Sequence, residues 1–254
     1  MPAPAVSAIM PFHDNVRYAR DAIGSLARQS FQDWELILIS DGAPEATRNI
    51  MRGYAETICP GRYTLLHYPE RRGPNYARNY GIQRARGLCC AVADSDNVSD
   101  PDRFAMMVPP ILEGGADVVY SDIYAGVDPS DKNALYCTKA PAVLSRALFL
   151  GDRWSGVPHA LIYRTSIARD FPYPAYIRGV GGDTLFVSML YLYGSTRWAY
   201  IPKPLTFYRL HNEGIWGAER RRHGIDDPYA FPGADPRHKE FARWLRYIEG
   251  LNAG

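Results

Sequence analysis

Roughly the first 120 residues alternate short apolar runs with segments of helical pattern, and this alternation constrains the fold more than any other feature. The apolar runs, which predict strands, lie at residues 6–10, 35–40, 64–68, 88–93 and 117–121. The helical segments between them lie at residues 14–30, 44–55, 75–86 and 101–112. Strands that are apolar on both faces are typical of a parallel sheet covered by helices on both sides. The pattern therefore predicts an α/β fold with a mostly parallel sheet flanked by helices.

The second half of the chain has a weaker pattern. Residues 122–158 predict a loop-rich region with a helical patch at 142–150. The later predicted elements are a strand at 160–163, a helix at 184–192, two paired strands at 198–201 and 205–209, and a final helix at 239–248. The chain becomes polar from about residue 212, which indicates a separate tail.

Composition and charge narrow the classes of function. With 29 Lys and Arg against 27 Asp and Glu, the net charge of +2 creates no global field for nucleic acid or an anionic membrane. No apolar run approaches the ~20 residues of a bilayer span, and the N-terminal residues lack the basic region of a signal peptide. The four cysteines have no C-x-x-C spacing, so neither a disulfide framework nor a zinc site is expected. We expect a cytoplasmic protein without a membrane segment or a nucleic acid partner.

Acidic residues follow several of the predicted strands. Asp14, Asp41, Asp94 and Asp96 all come directly after such a strand or within a few residues of its end. In open α/β sheets, ligands bind in the crevice beyond the carboxyl ends of the strands. We therefore expect these carboxylates to converge on one crevice.

The Asp94-Ser95-Asp96 sequence is the most specific of these signals. Two carboxylates on one turn can share a hard divalent cation, which a substrate diphosphate can also bind. The alternative is a solvated turn, because D-x-D is common by chance. Asp41 could accept a hydrogen bond from a nucleobase or a ribose, or it could belong to a helix-capping turn.

Four segments, in this order, resemble the family 2 glycosyltransferases, which have the GT-A fold. The segments are SAIMPFHDN, SFQDWELILISDGAPEATRNI, GPNYARNYGIQRARG and CCAVADSDNVSDPDRF, and they cover about residues 5–105. A weaker match continues through Gly182-Asp183 and the YRLH sequence that ends at His211. The resemblance implies a Rossmann-like sheet that binds a nucleotide-diphosphate sugar. The chain lacks the Q-x-x-R-W motif and membrane helices of the processive members, so a non-processive member is expected.

The resemblance also assigns donor-binding residues to matching positions. They are Pro11, Phe12, His13, Asp14, Asp41, Arg78, Asp94, Ser95 and Asp96. By the same resemblance, Asp96 and His211 bind a divalent metal, Mn²⁺ or Mg²⁺, and UDP is the commonest donor nucleotide, with GDP and dTDP as alternatives. Arg78 could instead be a helix-surface cation, and His211 a structural histidine. The sequence Phe12-His13-Asp14 replaces the usual Thr-Tyr-Asn, and Ser40-Asp41 replaces a double Asp.

Asp183 lies where the family has its catalytic carboxylate, just before a predicted helix. An inverting transfer needs a general base that takes the proton of the acceptor hydroxyl. An Asp at this place could also cap the helix, and the two roles are compatible. Gly182 stands where the family usually has Glu, so a neighbouring acid is missing.

The acceptor side is expected within residues 122–178. Its candidate residues are Trp154, His159 and Tyr163, because aromatic faces stack on apolar patches of sugars; the alternative for each is core packing. The basic run at residues 219–223 could be a lid or a solvated surface.

Together these observations predict a metal-dependent, inverting glycosyltransferase of the hexosyltransferase type, with a UDP-sugar donor and a hydroxyl acceptor. Residues 1–121 would bind the nucleotide sugar, 122–211 would form the acceptor-binding and catalytic half of the same domain, and 212–254 a lid or tail. The alternatives are a non-catalytic nucleotide-sugar or glycan-binding module and a retaining GT-A transferase, and a homodimer is possible. A dehydrogenase is disfavoured because the first strand–helix turn lacks G-x-G-x-x-G.

Overall fold

The computed structural model describes residues 2–130, 136–138, 140, 142, 157–177 and 182–213. Its strands are β1 Val6–Phe12, β2 Trp34–Asp41, β3 Tyr63–Tyr68, β4 Cys89–Val92, β5 Val98–Ser99, β6 Val118–Gly126, β7 Tyr136–Thr138, β8 Leu161–Arg164 and β9 Trp198–Arg209. Its α-helices are α1 Ala19–Ala27, α2 Glu45–Ile58, α3 Pro74–Ile82, α4 Arg103–Met107, α5 Pro109–Leu112, α6 Thr165–Asp170 and α7 Gly182–Tyr193. A short 3-10 helix, Val157–Ala160, leads into β8.

The described strands form one sheet in the order β3-β2-β1-β4-β8-β6-β9-β5, with β7 paired to β6. The first four strands are parallel, and β6 and β9 run in the same direction as they do. The other three strands, β5, β7 and β8, run antiparallel to their neighbours. Six of the nine described strands therefore share one direction. This confirms the predicted mostly parallel α/β sheet.

Alternate residues of the central strands enter two hydrophobic clusters, one on each face of the sheet. Leu36 and Leu38 of β2 pack in the cluster that contains residues of α1 and α2. Ile37 and Ile39 pack in the cluster that contains residues of α3 and α7. Successive strand residues point to opposite faces, and here both faces are covered by helices. This double burial explains why the strands appear in the sequence as continuous apolar runs.

Three predicted elements differ from the structure. Helix α1 begins at Ala19, and neither Asp14 nor Asn15 caps it. Asn15 instead accepts a hydrogen bond from the backbone N–H of Arg17. The helix predicted at residues 101–112 is divided into α4 and α5, because Pro109 cannot donate the backbone hydrogen bond that would continue α4.

The third difference is β9, which is one strand rather than a pair. Both of its halves pair with β6 in parallel, so they do not pair with each other. The register shifts between Ser121 and Ile123, opposite the part of β9 that contains Pro202 and Pro204. Proline lacks the N–H that a regular ladder needs, and an irregularity of this kind accommodates it.

Two described parts of the region predicted to be rich in loops, residues 122–158, are strands. Residues 122–126 continue β6, and Tyr136–Thr138 pairs with them. Helix α6 and strand β5 were not predicted. The helices predicted at 142–150 and 239–248 and the basic run at 219–223 lie outside the described residues. Among the helices that the structure describes, none has the length and hydrophobicity to cross a bilayer.

Candidate functional site

The carboxyl edge of the sheet gathers most of the predicted site residues. Asp41 is the last residue of β2, the turn with Asp94 and Asp96 follows β4, and His211 follows β9. Since these strands run in one direction, their carboxyl ends meet at one edge. These residues therefore share the edge that the sequence predicted for them.

Asp94 is the centre of a charged cluster at this edge. Its Oδ1 accepts a hydrogen bond from Arg78 Nη2 at 2.7 Å, and its Oδ2 lies 3.4 Å from His159 Nδ1. The amide of Asn97 donates to Oδ2 at 3.1 Å. Burial alone would raise the pKa of Asp94, but the Arg78 guanidinium and the His159 ring outweigh burial and lower it. Asp94 is therefore a carboxylate whose oxygens are already engaged by protein groups.

Arg78 links this cluster to α7. The Arg78 side chain is only 9% exposed, and its guanidinium lies 5.4 Å from the ring centroid of Tyr173. Burial tends to lower the pKa of Arg78, yet the charges of nearby acids, Asp94 first and then Asp183 among them, raise it. Arg78 is thus a buried, fully charged partner of the carboxylates, and not a helix-surface cation.

Asp183 occupies the first turn of α7, where its Oδ1 accepts a hydrogen bond from the N–H of Thr184 at 2.8 Å. The side chain is partly exposed. Burial tends to lower the pKa of His159, but the contact with Asp94 and the charge of Asp183 together raise it. Asp183 is therefore near both Arg78 and His159, at the margin of the same cluster.

Asp96 and His211 form a second polar group beside Asp94. His211 Nε2 lies 3.1 Å from Asp96 Oδ2, and the Asp96 side chain is 33% exposed. The ring of Tyr18 packs against His211 with centroids 4.9 Å apart. A carboxylate oxygen and an imidazole nitrogen are both possible ligands of a divalent metal. Across the described ranges, no group of three or more His, Cys, Asp or Glu side chains is arranged to hold a metal. Ser95 lies between the two acids and is partly exposed.

Asp41 is almost completely buried, at 4% exposure, and holds a neighbouring loop. Its carboxylate accepts hydrogen bonds from the Tyr68 hydroxyl and from the backbone N–H groups of Arg72 and Gly73. Gly42 allows this close approach, because a side chain there would collide with the backbone of Arg71 and its φ is +63°. The structure therefore gives Asp41 a supporting position under the loop that follows β3.

The remaining donor-side candidates differ in accessibility. Pro11 and Phe12 are buried in β1, whereas Asp14 is exposed in the loop that follows. His13 is partly exposed, and its Nδ1 lies 2.7 Å from the carbonyl oxygen of Asp41. His13 and Asp14 are thus the members of this stretch with accessible surface.

The acceptor-side candidates are separated by the structure. His159 is in the charged cluster and packs against the ring of Tyr208, with centroids 4.4 Å apart. Tyr163 has no exposed surface; its hydroxyl lies 3.3 Å from that of Tyr173, and its ring packs against Phe186. Tyr163 is thus a core residue in this structure. Trp154 lies outside the described residues.

Sequence reasoning did not identify the residues that hold the Asp94–Asp96 turn. Asn97 donates to Asp94 and accepts a hydrogen bond from the backbone N–H of Arg209. Arg209 is buried, and its Nε donates to the carbonyl oxygen of Asp96 at 3.0 Å. Asn97 directly follows the D-S-D sequence and Arg209 lies within YRLH, and this proximity is a signal that could have identified them.

Comparisons with known proteins identify the family of this chain. The sequence model described as "Glycosyl transferase family 2" matches residues 7–170. The chain is similar to a putative glycosyltransferase, EpsH, from Bacillus subtilis, with 27% identity over 225 residues that cover 85% of this chain and 63% of EpsH. The chain belongs to glycosyl transferase family 2.

Solved structures support the same fold. The S. aureus TarS 1-349 structure in complex with UDP-GlcNAc has a TM-score of 0.64 and 22% identity, over 83% of this chain and 60% of TarS 1-349. The mannosyltransferase PcManGT from Pyrobaculum calidifontis, in complex with GDP-Man and Mn²⁺, has a TM-score of 0.64 and 17% identity, over 97% of this chain and 70% of PcManGT. At these identities the likeness concerns the fold, which is GT-A.

Proposed function

We propose that this chain is a metal-dependent, inverting glycosyltransferase that moves a hexose from a nucleotide-diphosphate sugar, most simply a UDP-sugar, to a hydroxyl acceptor. The observation that carries the proposal is the position of Asp183, directly after Gly182, which lies against the same Asn75 amide that Arg78 of the Asp94 cluster bonds. A partly exposed carboxylate thereby adjoins a buried charged cluster at the ligand-binding edge of the sheet. Family membership supports the reaction class.

Asp96 and His211 would hold the metal. Two protein ligands fit a cation that is shared with substrate, because Mg²⁺ sites commonly combine one or two carboxylates with phosphate oxygens and water. When bound, the cation would neutralise the negative charge of the departing diphosphate. Mn²⁺ and GDP-Man in the PcManGT structure, and UDP-GlcNAc in the TarS structure, support a nucleotide-sugar donor and a divalent metal.

The other residues of the site would have different roles in the reaction. Asp94 is engaged by Arg78, His159 and Asn97, so we assign it to holding the turn that presents Asp96. Asp183 would take the proton of the acceptor hydroxyl as the oxygen attacks the anomeric carbon. A single displacement of this kind inverts the anomeric configuration. His13 and Asp14 would border the nucleoside, and Asp41 would support the loop that follows β3.

A thermal-shift screen of nucleoside diphosphates, with and without Mn²⁺ or Mg²⁺, tests the donor side of the proposal. Ligand at 100 times its Kd stabilises the native state by about 2.7 kcal/mol. For a chain of this size that corresponds to a rise in Tm of roughly 5–10 °C. We expect UDP with Mn²⁺ to give a larger rise than UDP alone. If no nucleotide raises the Tm under either condition, the proposal is wrong.

The same screen leads to the test of catalysis. A donor that raises the Tm should be hydrolysed slowly by the chain in the absence of acceptor, and faster turnover should follow when an acceptor is supplied. Binding without any turnover would instead favour a non-catalytic nucleotide-sugar-binding module.

The cytoplasmic location and a homodimer stay predictions. Fractionation without detergent would check the first, and light scattering would check the second.

Tyr176 is the residue we expect to contact the acceptor. It is 70% exposed, the most of the large apolar and aromatic side chains that the structure describes. Its backbone segment is fixed, because the Asn79 side chain bonds both the N–H and the carbonyl of Tyr173, and Asn75 bonds the carbonyl of Ile177. An exposed ring on a segment that Asn75 and Asn79 tie to α3 is suited to stacking on the apolar face of a sugar.

Tyr176→Ala should therefore raise the acceptor KM by about 3- to 10-fold, the equivalent of one aromatic contact. Tyr176→Phe should retain the wild-type KM, and the donor Kd should be unchanged in both variants. Leu88→Ala is the control, since Leu88 is 49% exposed and precedes β4, at the opposite edge of the sheet. An unchanged acceptor KM in Tyr176→Ala would remove Tyr176 from the acceptor site.

A further inference from the structure

The side chain of Asn75 connects three parts of the site. Asn75 lies in the first turn of α3 and is 2% exposed. Its Nδ2 donates to the carbonyl oxygen of Ile177 at 2.8 Å, and its Oδ1 accepts a hydrogen bond from Arg78 Nη1 at 3.3 Å. One buried amide thus contacts both the segment that leads towards α7 and the guanidinium that pairs with Asp94.

Gly182 also lies against the Asn75 side-chain amide. It is the first residue of α7, and a Cβ added to it would overlap the Asn75 side-chain amide. The φ of Gly182 lies outside the left-handed region, so the requirement for glycine here is one of space and not of backbone conformation. Because Asn75 is buried and bonded at both ends of its amide, it has little freedom to move aside.

We infer that Asn75 is a positioning residue that sets the place of Asp183 relative to Arg78, through its direct contact with Gly182. Asp183 follows Gly182 in the chain, and Arg78 lies one helical turn after Asn75. The amide therefore fixes the distance between the two charged groups from both sides. A side chain at position 182 would push the N-terminus of α7, and Asp183 with it, away from α3.

This inference rests on the proposed function, because positioning matters only if Asp183 acts on the acceptor. It also gives a physical reason for the glycine at position 182. A larger residue could not be accommodated there while Asn75 keeps both of its hydrogen bonds.

A double-mutant cycle between Gly182→Ala and Asn75→Ala tests the inference. Displacement of a catalytic group by about 1 Å can cost on the order of 10²-fold in rate, so Gly182→Ala should lower kcat by about that factor. Asn75→Ala should lower kcat by about tenfold, through looser placement of the same groups. The double variant should be no slower than Asn75→Ala alone, because the shortened side chain leaves room for the new methyl group.

The donor Kd should change much less than kcat in all three variants, since Asp96 and His211 are untouched. Gly53→Ala is the control, because Gly53 lies in α2 and a Cβ there meets no atom within 4 Å. Losses of kcat that multiply in the double variant, or a fully active Gly182→Ala, would overturn the inference while leaving the proposed function intact. A wild-type chain that transfers no sugar would overturn both.

Discussion

Replacement of Asp183 by Asn is expected to lower kcat by about 10²–10⁴-fold, the usual contribution of a general base. Asn has the shape of Asp and can keep the hydrogen bond from the N–H of Thr184. The substitution therefore keeps the shape of the side chain and removes its negative charge and its capacity to accept a proton. The donor Kd and the Tm should change much less than kcat.

The measurement is the rate of single-turnover transfer with saturating donor. Asp170→Asn is a matched control, because Asp170 is an exposed carboxylate at the end of α6. The structure places Asp183 inside the first turn of α7 and not at the capping position. If Asp183 only stabilises that turn, the Asn variant stays active. The configuration of the product, determined by NMR, provides an independent result. Inversion agrees with one displacement assisted by a base, whereas retention would favour the alternative of a retaining transferase.

The first half of the fold could be predicted because its strands are buried on both faces. A strand such as β2, whose residues alternate between two covered clusters, remains apolar throughout and is visible in the sequence. The strands and helices also alternate along this part of the chain, and their order was sufficient to predict the α/β fold class. The antiparallel insertion of β8 between β4 and β6 could not be predicted, because its pairs with β4 join residues about 70 positions apart along the chain, and its pairs with β6 join residues about 40 positions apart.

The site, too, contains residues that could be located from the sequence and residues that could not. The location of Asp94 and Asp96 followed from the end of a buried strand, which is a local signal. The partners of Asp94 did not, because His159 is 65 positions away and reaches it only through the pairing of β8. Tyr163 illustrates the same limit, since a strand buried on both faces gives no indication of which aromatic residue remains accessible.

The second large effect is expected for Asp96→Ala. Loss of the metal-binding carboxylate should lower transfer by on the order of 10³-fold, since a bound cation contributes several kcal/mol of charge stabilisation. UDP binding should also lose its dependence on Mn²⁺. The Tm should change little, because the Asp96 side chain is 33% exposed and the turn is held independently by Arg209 through the backbone carbonyl of residue 96.

Asp94→Ala provides the contrast that separates the two acids of the turn. It removes the partner of a buried guanidinium, and an unpaired buried charge costs on the order of 3 kcal/mol. The Asp94 variant should therefore unfold at a distinctly lower temperature, whereas the Asp96 variant keeps its fold and loses only its metal-dependent ligand binding. Calorimetric titration of UDP, with and without Mn²⁺, measures the second quantity directly. If the Asp96 variant binds UDP with unchanged Mn²⁺ dependence, Asp96 does not hold the metal, and the cation must be bound by other groups.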